Sequence, residues 1–598
     1  MCGIAGLVKF DGSAACAETL SGMANVVSHR GPDGSGVFVD GPVGLSHRRL
    51  AIIDLSDLAA QPMAYEDRYF LTYNGEIYNY LELRDELTAR SHTFVSRSDA
   101  EVILAAYAEW GEKCVERFNG MWAFLIYDRI QKSVFASRDR FGIKPLYFVR
   151  TQSQIAFASE IKQLLPFLPS VRVNKSVLAD FFVLGLSQHS ERTFFDGISQ
   201  FPPSHSLTVR LDGRISKRRY YALEPNTSLS SYDENMAIES LSDVLHDSIR
   251  LRLRSDVTVG ACLSGGLDSS TICAIAAKSN PRLIGITASS GDAENDETRW
   301  AGKMAMHSDL DWHQVAIDQT QFGDLTAQLA KVQEEPFPTP SIYLQYCVFK
   351  KAAELNCKVM LDGQGGDETL LGYSRYYPAY LLSLRGMERI KGISNVSRHS
   401  KLSIFDVVKY AAYFLMPSVR RGALAARAKR YLYPSVMKYV DWTPIDRLAS
   451  AYSSVSTLQI VEILTTQLPR LLMYEDKNSM AHSIESRLPY LDYRLVELAV
   501  SISGDFKMRE GWSKWALRKV SERHLPHEIA WRRDKIGFEA PSADLLRDNR
   551  RAITERIESS EIGREWLRRN IRVGELDTRE IWKWYFVACW EQAYGVSL

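Results

Sequence analysis

The hydrophobic pattern of this chain changes period once, near residue 230, and that change constrains the fold more than any other feature. From residue 2 to about 165, apolar residues come in short runs: CGIAGLV, VGLSHRRLAIID, RYFLTYNGEIY, MWAFLIYD, SVFASRD and PLYFV, with Gly, Asn and Asp between them. Such runs predict antiparallel strands in two packed sheets. Helices are predicted over 81–89 and 100–110, the second opened by Ser98 with Glu101 three residues on, the spacing of a capping box. FPPSHSL, an Asp212-Gly213 hairpin signal and PNTSLSSYDE then mark a last hairpin and a linker, with a boundary at 225–235. Beyond it, long amphipathic segments alternate with short apolar strands (VTVGACL, RLIGITA, KVMLDG), which predicts a parallel sheet with helices on both faces. From about 370 onward the pattern is nearly all helical.

The 598 residues allow about four average domains, and two large ones fit equally well. With 73 Lys+Arg against 72 Asp+Glu, no global field draws the chain to nucleic acid or to an anionic membrane, and neither is expected as a partner. Locally the balance breaks: residues 381–440 hold twelve Lys/Arg and two acids, Glu388 and Asp406, read as the solvated faces of inserted helices. Eight scattered cysteines without CxxC pairs suit reduced thiols. The N-terminus lacks the pattern of a signal peptide, and no run reaches the ~18–20 apolar residues of a membrane span. A cytoplasmic location is expected.

Cys2 follows the initiator Met, whose removal would place a thiol beside a free α-amine, a nucleophile with its own base. Arg30-Gly31-Pro32-Asp33 follows a helix-like segment, and Arg48-Arg49-Leu50-Ala51-Ile52-Ile53-Asp54 is predicted on a strand. Asn74-Gly75-Glu76 follows an apolar run, and Ser98-Asp99 opens a helix. A site that cleaves glutamine needs an Arg for the α-carboxylate, acids for the α-ammonium and donors for an oxyanion. Arg49 suits the first role, Glu76 and Asp99 the second, and the Asn74 side chain with the Gly75 N–H the third. In order, CGIAG, HRGPD, HRRLAIID, YNGEIYN and SRSDAEVI resemble the class II glutamine amidotransferase domain. The resemblance implies an α+β N-terminal-nucleophile fold, a four-layer αββα sandwich over residues 2–225. It further implies that Cys2 attacks the glutamine amide, forming a thioester and releasing ammonia, with Leu50 and Ile53 also against the glutamine.

Val257–Ser270 reads VTVGACLSGGLDSS, an apolar strand running through Ser264-Gly265-Gly266-Leu267-Asp268-Ser269 into a helix. Glycines at a helix N-terminus make an anion nest, and the Walker lysine is absent. A second strand ends in Asp362-Gly363-Gln364-Gly365-Gly366-Asp367-Glu368. Two strand ends that each carry an acid suit one Mg2+–phosphate site, with Asp268 and Asp367 as its ligands. The strand RLIGITA ends at Ala288, a resting place for adenine at the carboxyl edge of the sheet. Further on come Glu475-Asp476-Lys477, Glu485-Ser486-Arg487 with Asp492 after it, Lys514, and Arg533-Asp534-Lys535. Glu475 and Asp492 read as helix-surface charges.

Together with SGGLDS and GGDE these segments resemble the asparagine synthetase domain over 235–598, an α/β ATP-pyrophosphatase-type parallel-sheet domain with a largely helical C-terminal part. The resemblance implies ATP and Mg2+, with ATP against Leu263, Ser264, Gly265, Gly266, Asp268, Ser269, Ala288, Asp362 and Gly363. It makes Lys514 the lysine that neutralises the α-phosphate, and puts Lys477 and Arg487 on the acceptor-carboxylate side. The whole chain resembles the bacterial glutamine-hydrolysing asparagine synthetases, whose partners are glutamine, ATP and aspartate; a homodimer is a family-level expectation.

One position departs from the family loop: Gln364 stands where an acid is expected beside the reacting acyl group, and glutamine cannot act as a base. Either another group takes that role, or the acceptor is another small carboxylate, such as a surface-polysaccharide sugar acid or a natural-product precursor. A non-catalytic regulator on the same fold is a third reading. The intact Cys2, NGE, SGGLDS, Asp367 and Lys514 oppose it.

Overall fold

In the computed structural model, residues 2–289, 296–399, 403–533 and 542–598 are described. Asp534 and Lys535, singled out above, lie outside them.

The first half builds two six-stranded antiparallel sheets. In chain order the strands are β1 (Gly3–Lys9), β2 (Gly34–Asp40), β3 (Val43–Arg49), β4 (Met63–Tyr65), β5 (Tyr69–Ile77), β6 (Gly120–Asp128), β7 (Ser133–Arg138), β8 (Tyr147–Arg150), β9 (Gln154–Ala158), β10 (Ser199–Gln200), β11 (His205–Arg210) and β12 (Ile215–Arg219). One sheet runs β10-β8-β9-β1-β3-β2 and the other β12-β11-β7-β6-β5-β4. Helix α1 (Ala17–Asn25) lies on the first sheet. Helices α2 (Tyr80–Ala89) and α3 (Asp99–Trp110) pack together, with α3 on the second sheet. The result is the expected αββα sandwich.

The burial of β1 and β6 shows why these strands read as continuous apolar runs. In β6, Ala123, Leu125 and Tyr127 enter the core between the sheets, while Trp122, Phe124 and Ile126 enter the core beneath α2 and α3. In β1, Ile4 and Val8 take the inner core and Ala5 and Leu7 the outer one. A strand covered on both faces carries no polar alternation. The Asp212-Gly213 signal does form a hairpin: β11 pairs with β12, and Gly213 turns with φ +84°.

Three local expectations are corrected. The strand predicted through 43–54 stops at Arg49, and the chain leaves the sheet as a loop over Leu50–Asp54. Ser98 caps α3 through Ala100 N–H, but Glu101 turns back to the N–H groups of Val95 and Ser96, so no capping box closes. Glu475 and Asp492, read as surface charges, are 2% and 0% exposed. Asp492 caps the helix Tyr493–Ser501 and pairs with Arg252 and Arg494. A fully buried acid persists only with such partners.

The second half contains α5 (Glu234–Arg252), which follows α4 (Lys175–Val183), and then a five-stranded sheet of β13 (Val259–Cys262), β14 (Ile284–Ser289), β15 (Asp311–Ala316), β16 (Val359–Leu361) and β17 (Glu485–Arg487). All pairings are parallel, in the order β15-β14-β13-β16-β17. Helix α6 (Leu267–Ala277) follows β13 directly. The basic segment forms helices Gly386–His399, Ile404–Leu415 and Pro417–Ala428, where Arg421 pairs with Asp446 and Arg427 with Glu580.

The two halves share a core. Phe181, Phe182, Phe194 and Phe195 pack with Trp582, Trp584 and Trp590 of the last helix, Thr578–Tyr594. The chain end returns to the sandwich, where Val173 N–H donates to Ser597 O and Ser597 N–H to Val171 O. Among the described residues no helix is long and apolar enough to cross a membrane.

Candidate active sites

Cys2 sits where β1 begins, 7% exposed, between β5 and the loop after β3. Its N–H donates to Asn74 Oδ1 at 2.9 Å, and its carbonyl accepts from Arg30 Nε at 3.0 Å. The other amide atom of Asn74, Nδ2, is buried without a hydrogen-bond partner among the described residues. A buried orphan donor is costly, and a ligand oxygen would satisfy it. Burial pushes the Cys2 thiol up, opposed by the positive amino terminus, the Leu50 N–H and Arg49.

A small pocket brings Cys2 together with Arg49, Leu50, Ile53, Gly75, Glu76 and Asp99, all expected around glutamine; Asn74 stands beside it, bonded to Cys2. Arg49 is aimed by the loop that follows it, donating to the carbonyls of Asp54 and Ser56. Asp33 of HRGPD holds that loop by accepting from Ala51 N–H at 2.8 Å. Asp99 accepts from Tyr73 OH and Ile77 N–H, both at 2.9 Å, and burial raises it above the usual carboxylate range. Glu76 is raised well above that range by burial and by its neighbours Glu485 and Asp99. Gly75 lies at φ +155°, and a Cβ there would stand 2.0 Å from the Met121 carbonyl. Gly75→Ala is therefore expected to destabilise the chain by about 2–4 kcal/mol and to depress glutamate release from glutamine. A thermal melt and a glutaminase assay check this.

The second site is a cavity of about 460 Å3 at the carboxyl ends of β13, β14 and β16. Leu263, Ser264, Gly266, Asp268, Ser269, Ala288, Asp362, Gly363, Asp367 and Lys514 line it. The SGGLDS loop is rigid because Ser264 N–H donates to Ser269 Oγ, and Gly266 N–H to Ser264 Oγ. Gly265 takes φ +74°, where a Cβ would meet Ala301 N at 2.5 Å, so only glycine fits. Lys514, itself at φ +56°, reaches Asp268 and Asp367, the latter at 2.6 Å. Asp268 Oδ1 remains buried without a hydrogen-bond partner among the described residues.

The Asp362–Gln364 loop forms one wall of this cavity. Asp362 N–H donates to Arg487 O on β17, and the Asp362 carboxyl shares a hydrogen bond with Glu475. Burial raises both acids above their usual range, and the Asp362 charge raises Glu475 further. Glu475 also accepts from Ser486 and Gln345.

Lys477 and Arg487 do not line this cavity. Lys477 pairs with Glu334, which also accepts from the N–H groups of Ile161 and Lys162 in the sandwich. Arg487 faces Glu76 in the glutamine pocket. Sequence reasoning missed Arg518 and Arg532, which also line the cavity, and the acids Glu160, Glu334 and Glu485. No local pattern marks Glu334, whose partner Lys477 lies 143 positions away.

One helix, Leu468–Met480, touches both sites through adjacent residues. Asp476 binds Arg30, the residue that holds the Cys2 carbonyl, and Glu475 binds Asp362.

Comparison with known proteins fits this two-site arrangement. The family described as Asparagine synthase matches residues 240–582, and that described as Glutamine amidotransferase domain matches residues 1–221. The chain belongs to the asparagine synthase family. It is 31% identical over 567 residues to asparagine synthetase [glutamine-hydrolyzing] 1 of Bacillus subtilis, covering 92% of this chain and 88% of that protein. Asparagine synthetase [glutamine-hydrolyzing] 3 of the same organism is 33% identical over 564 residues, covering 89% and 86%. A more distant relative, Amidase chyE of Penicillium rubens, is 26% identical over 598 residues, covering 88% and 87%.

Proposed function

We propose that this chain is a glutamine-hydrolysing, ATP-dependent asparagine synthetase, with a glutaminase unit over 2–225 and a synthetase unit over 235–598. The observation that carries the reading is the pairing of a buried N-terminal Cys2, beside an unsatisfied Asn74 amide, with a cavity closed by SGGLDS, Asp367 and Lys514. Eight free cysteines support a cytoplasmic location.

In the first unit the Cys2 sulfur attacks the side-chain amide carbon of glutamine, and its proton passes to the α-amine or through water to the leaving nitrogen. Asn74 Nδ2 and the Gly75 N–H receive the charge that develops on oxygen. Arg49 binds the α-carboxylate, and Glu76 and Asp99 bind the α-ammonium. Ammonia leaves, and water hydrolyses the thioester to glutamate.

In the second unit an acceptor carboxylate oxygen attacks the ATP α-phosphorus, and the bond to pyrophosphate breaks. The SGGLDS amides hold the pyrophosphate, and Lys514 neutralises the α-phosphate. Asp268 and Asp367 fit Mg2+, since two carboxylates face one cavity beside an anion nest and one buried oxygen lacks a partner. The ion would supply further charge neutralisation. Ammonia then attacks the acyl carbon and AMP departs. A dry passage along the helix Leu468–Met480 would keep ammonia unprotonated. With Gln364 unable to accept a proton, the carboxyl pair Asp362–Glu475, of which Asp362 lines the cavity, is the group available to take one from the incoming nitrogen.

Gln364 also favours a second reading, an acceptor other than aspartate. A screen of carboxylic acids for pyrophosphate release with ammonia supplied tests both. Aspartate is expected to give asparagine, AMP and pyrophosphate; turnover only with another acid would replace aspartate as the acceptor.

A further inference from the structure

The chemistry above leaves the buried charges on β17 without a role. β17 is the edge strand beside β16, and its successive side chains face opposite ways. Ser486 reaches the Glu475–Asp362 pair on the cavity side. Glu485 and Arg487 lie on the opposite side, where Arg487 meets Glu76 of the glutamine pocket. Arg487 is fully buried; its Nε donates to Glu485 at 2.6 Å, and its Nη1 to the carbonyls of Arg252 and Arg254 at 2.7 and 2.6 Å. These bonds aim Nη2 at Glu76, 3.4 Å from Oε1. Among the described residues Nη2 has no hydrogen-bond partner, and neither has Glu76 Oε2.

We propose that Arg487, a side chain of the synthetase sheet, is a positioning residue for glutamine, setting its guanidinium beside Glu76 so that this carboxyl is oriented and charge-balanced to receive the α-ammonium. The inference rests on the glutamine-hydrolysing reading. Glu76 is faced by Glu485 from β17, by Asp99 from α3, by Tyr73 and Tyr78 of and after β5, and by Tyr80 of α2; the positive groups are Arg487 and the amino terminus. Burial, Glu485 and Asp99 all push its proton affinity up, and Arg487 is the largest opposing charge. Without that charge the Glu76 carboxyl would hold its proton more tightly, and a neutral acid attracts an ammonium far less. Glu485 has a double effect, because it anchors Arg487 yet adds a second negative charge.

The test follows glutamate release from glutamine by the full chain between pH 6 and 9. Arg487→Met raises the carboxyl pKa further, so its KM for glutamine should rise about tenfold or more at pH 7. The gap should narrow as the pH rises toward 9, because a carboxyl of raised pKa ionises more fully there. Arg487→Lys should recover most of the affinity. Glu485→Gln removes a like charge and should move the acid limb of kcat/KM to lower pH, opposite to Arg487→Met. A pH-independent loss in Arg487→Met, or shifts of the same sign in both variants, overturns the inference. So does unchanged glutamate release with a raised acceptor KM in ammonia-dependent synthesis, which would return Arg487 to the acceptor side. If Arg487→Met does not fold, the sign of the Glu485→Gln shift decides. Parent protein that releases no glutamate at all would refute the proposed function instead.

Discussion

Cys2→Ala is expected to lower glutamine-dependent synthesis by about 10³-fold or more, while ammonia-dependent synthesis stays within about threefold of the parent. The sulfur has no substitute: Cys16 is exposed, and the six other cysteines lie outside the glutamine pocket. Alanine keeps the backbone N–H that donates to Asn74 and the carbonyl that accepts from Arg30, so the start of β1 stays in place. The second site has its own cavity and needs only free ammonia. Product formation with each nitrogen source, measured side by side, checks the split. Equal loss with both sources would show that Cys2 supports the fold rather than the chemistry.

The complementary variant is Lys514→Met, which should lose about 10²–10³-fold in AMP and pyrophosphate formation with either nitrogen source. Glutamate release should stay within about threefold of the parent. Burial pushes the Lys514 ammonium down, but Asp268 and Asp367 push it up further, so it is charged throughout the neutral range. Its removal leaves two carboxylates facing the place where a polyphosphate must approach, and like charges in a desolvated cavity repel strongly. Arginine is not expected to rescue it fully, because its planar fork presents its donors in a different geometry from the compact ammonium that reaches both Asp268 and Asp367. Pyrophosphate release with ammonia, and glutamate release with glutamine, separate the two outcomes.

How much was legible depended on whether a residue acts within its own segment. The SGGLDS loop could be read because a strand, an anion nest and a helix start are consecutive, and backbone geometry does the rest. The glutamine pocket was readable from five short motifs that follow one another within about 100 residues. Glu475 misled because its helix shows polar residues on what looks like a solvent face. That face is covered by Asp362 and Ser486 from segments far away in the chain. Ser98 and Glu101 had capping-box spacing, yet Glu101 found better donors upstream in the Val95–Ser96 turn.

The amino-acid order by itself determined the local chemistry: a nucleophile at position 2, an anion nest at 264–269, acids at strand ends, and the change of period that separates a sandwich from a parallel sheet. Only the tertiary structure decided how the two sites meet. Arg30 reaches Asp476 across 446 positions, and Arg487 turns from the acceptor side implied by its motif toward Glu76. Hydrogen-bond propensity and hydrophobic period act over a few residues, so they leave a signature in sequence. A buried charge takes whatever counter-charge the packed core brings within a few ångströms, and that partner is set by how the two halves close on each other.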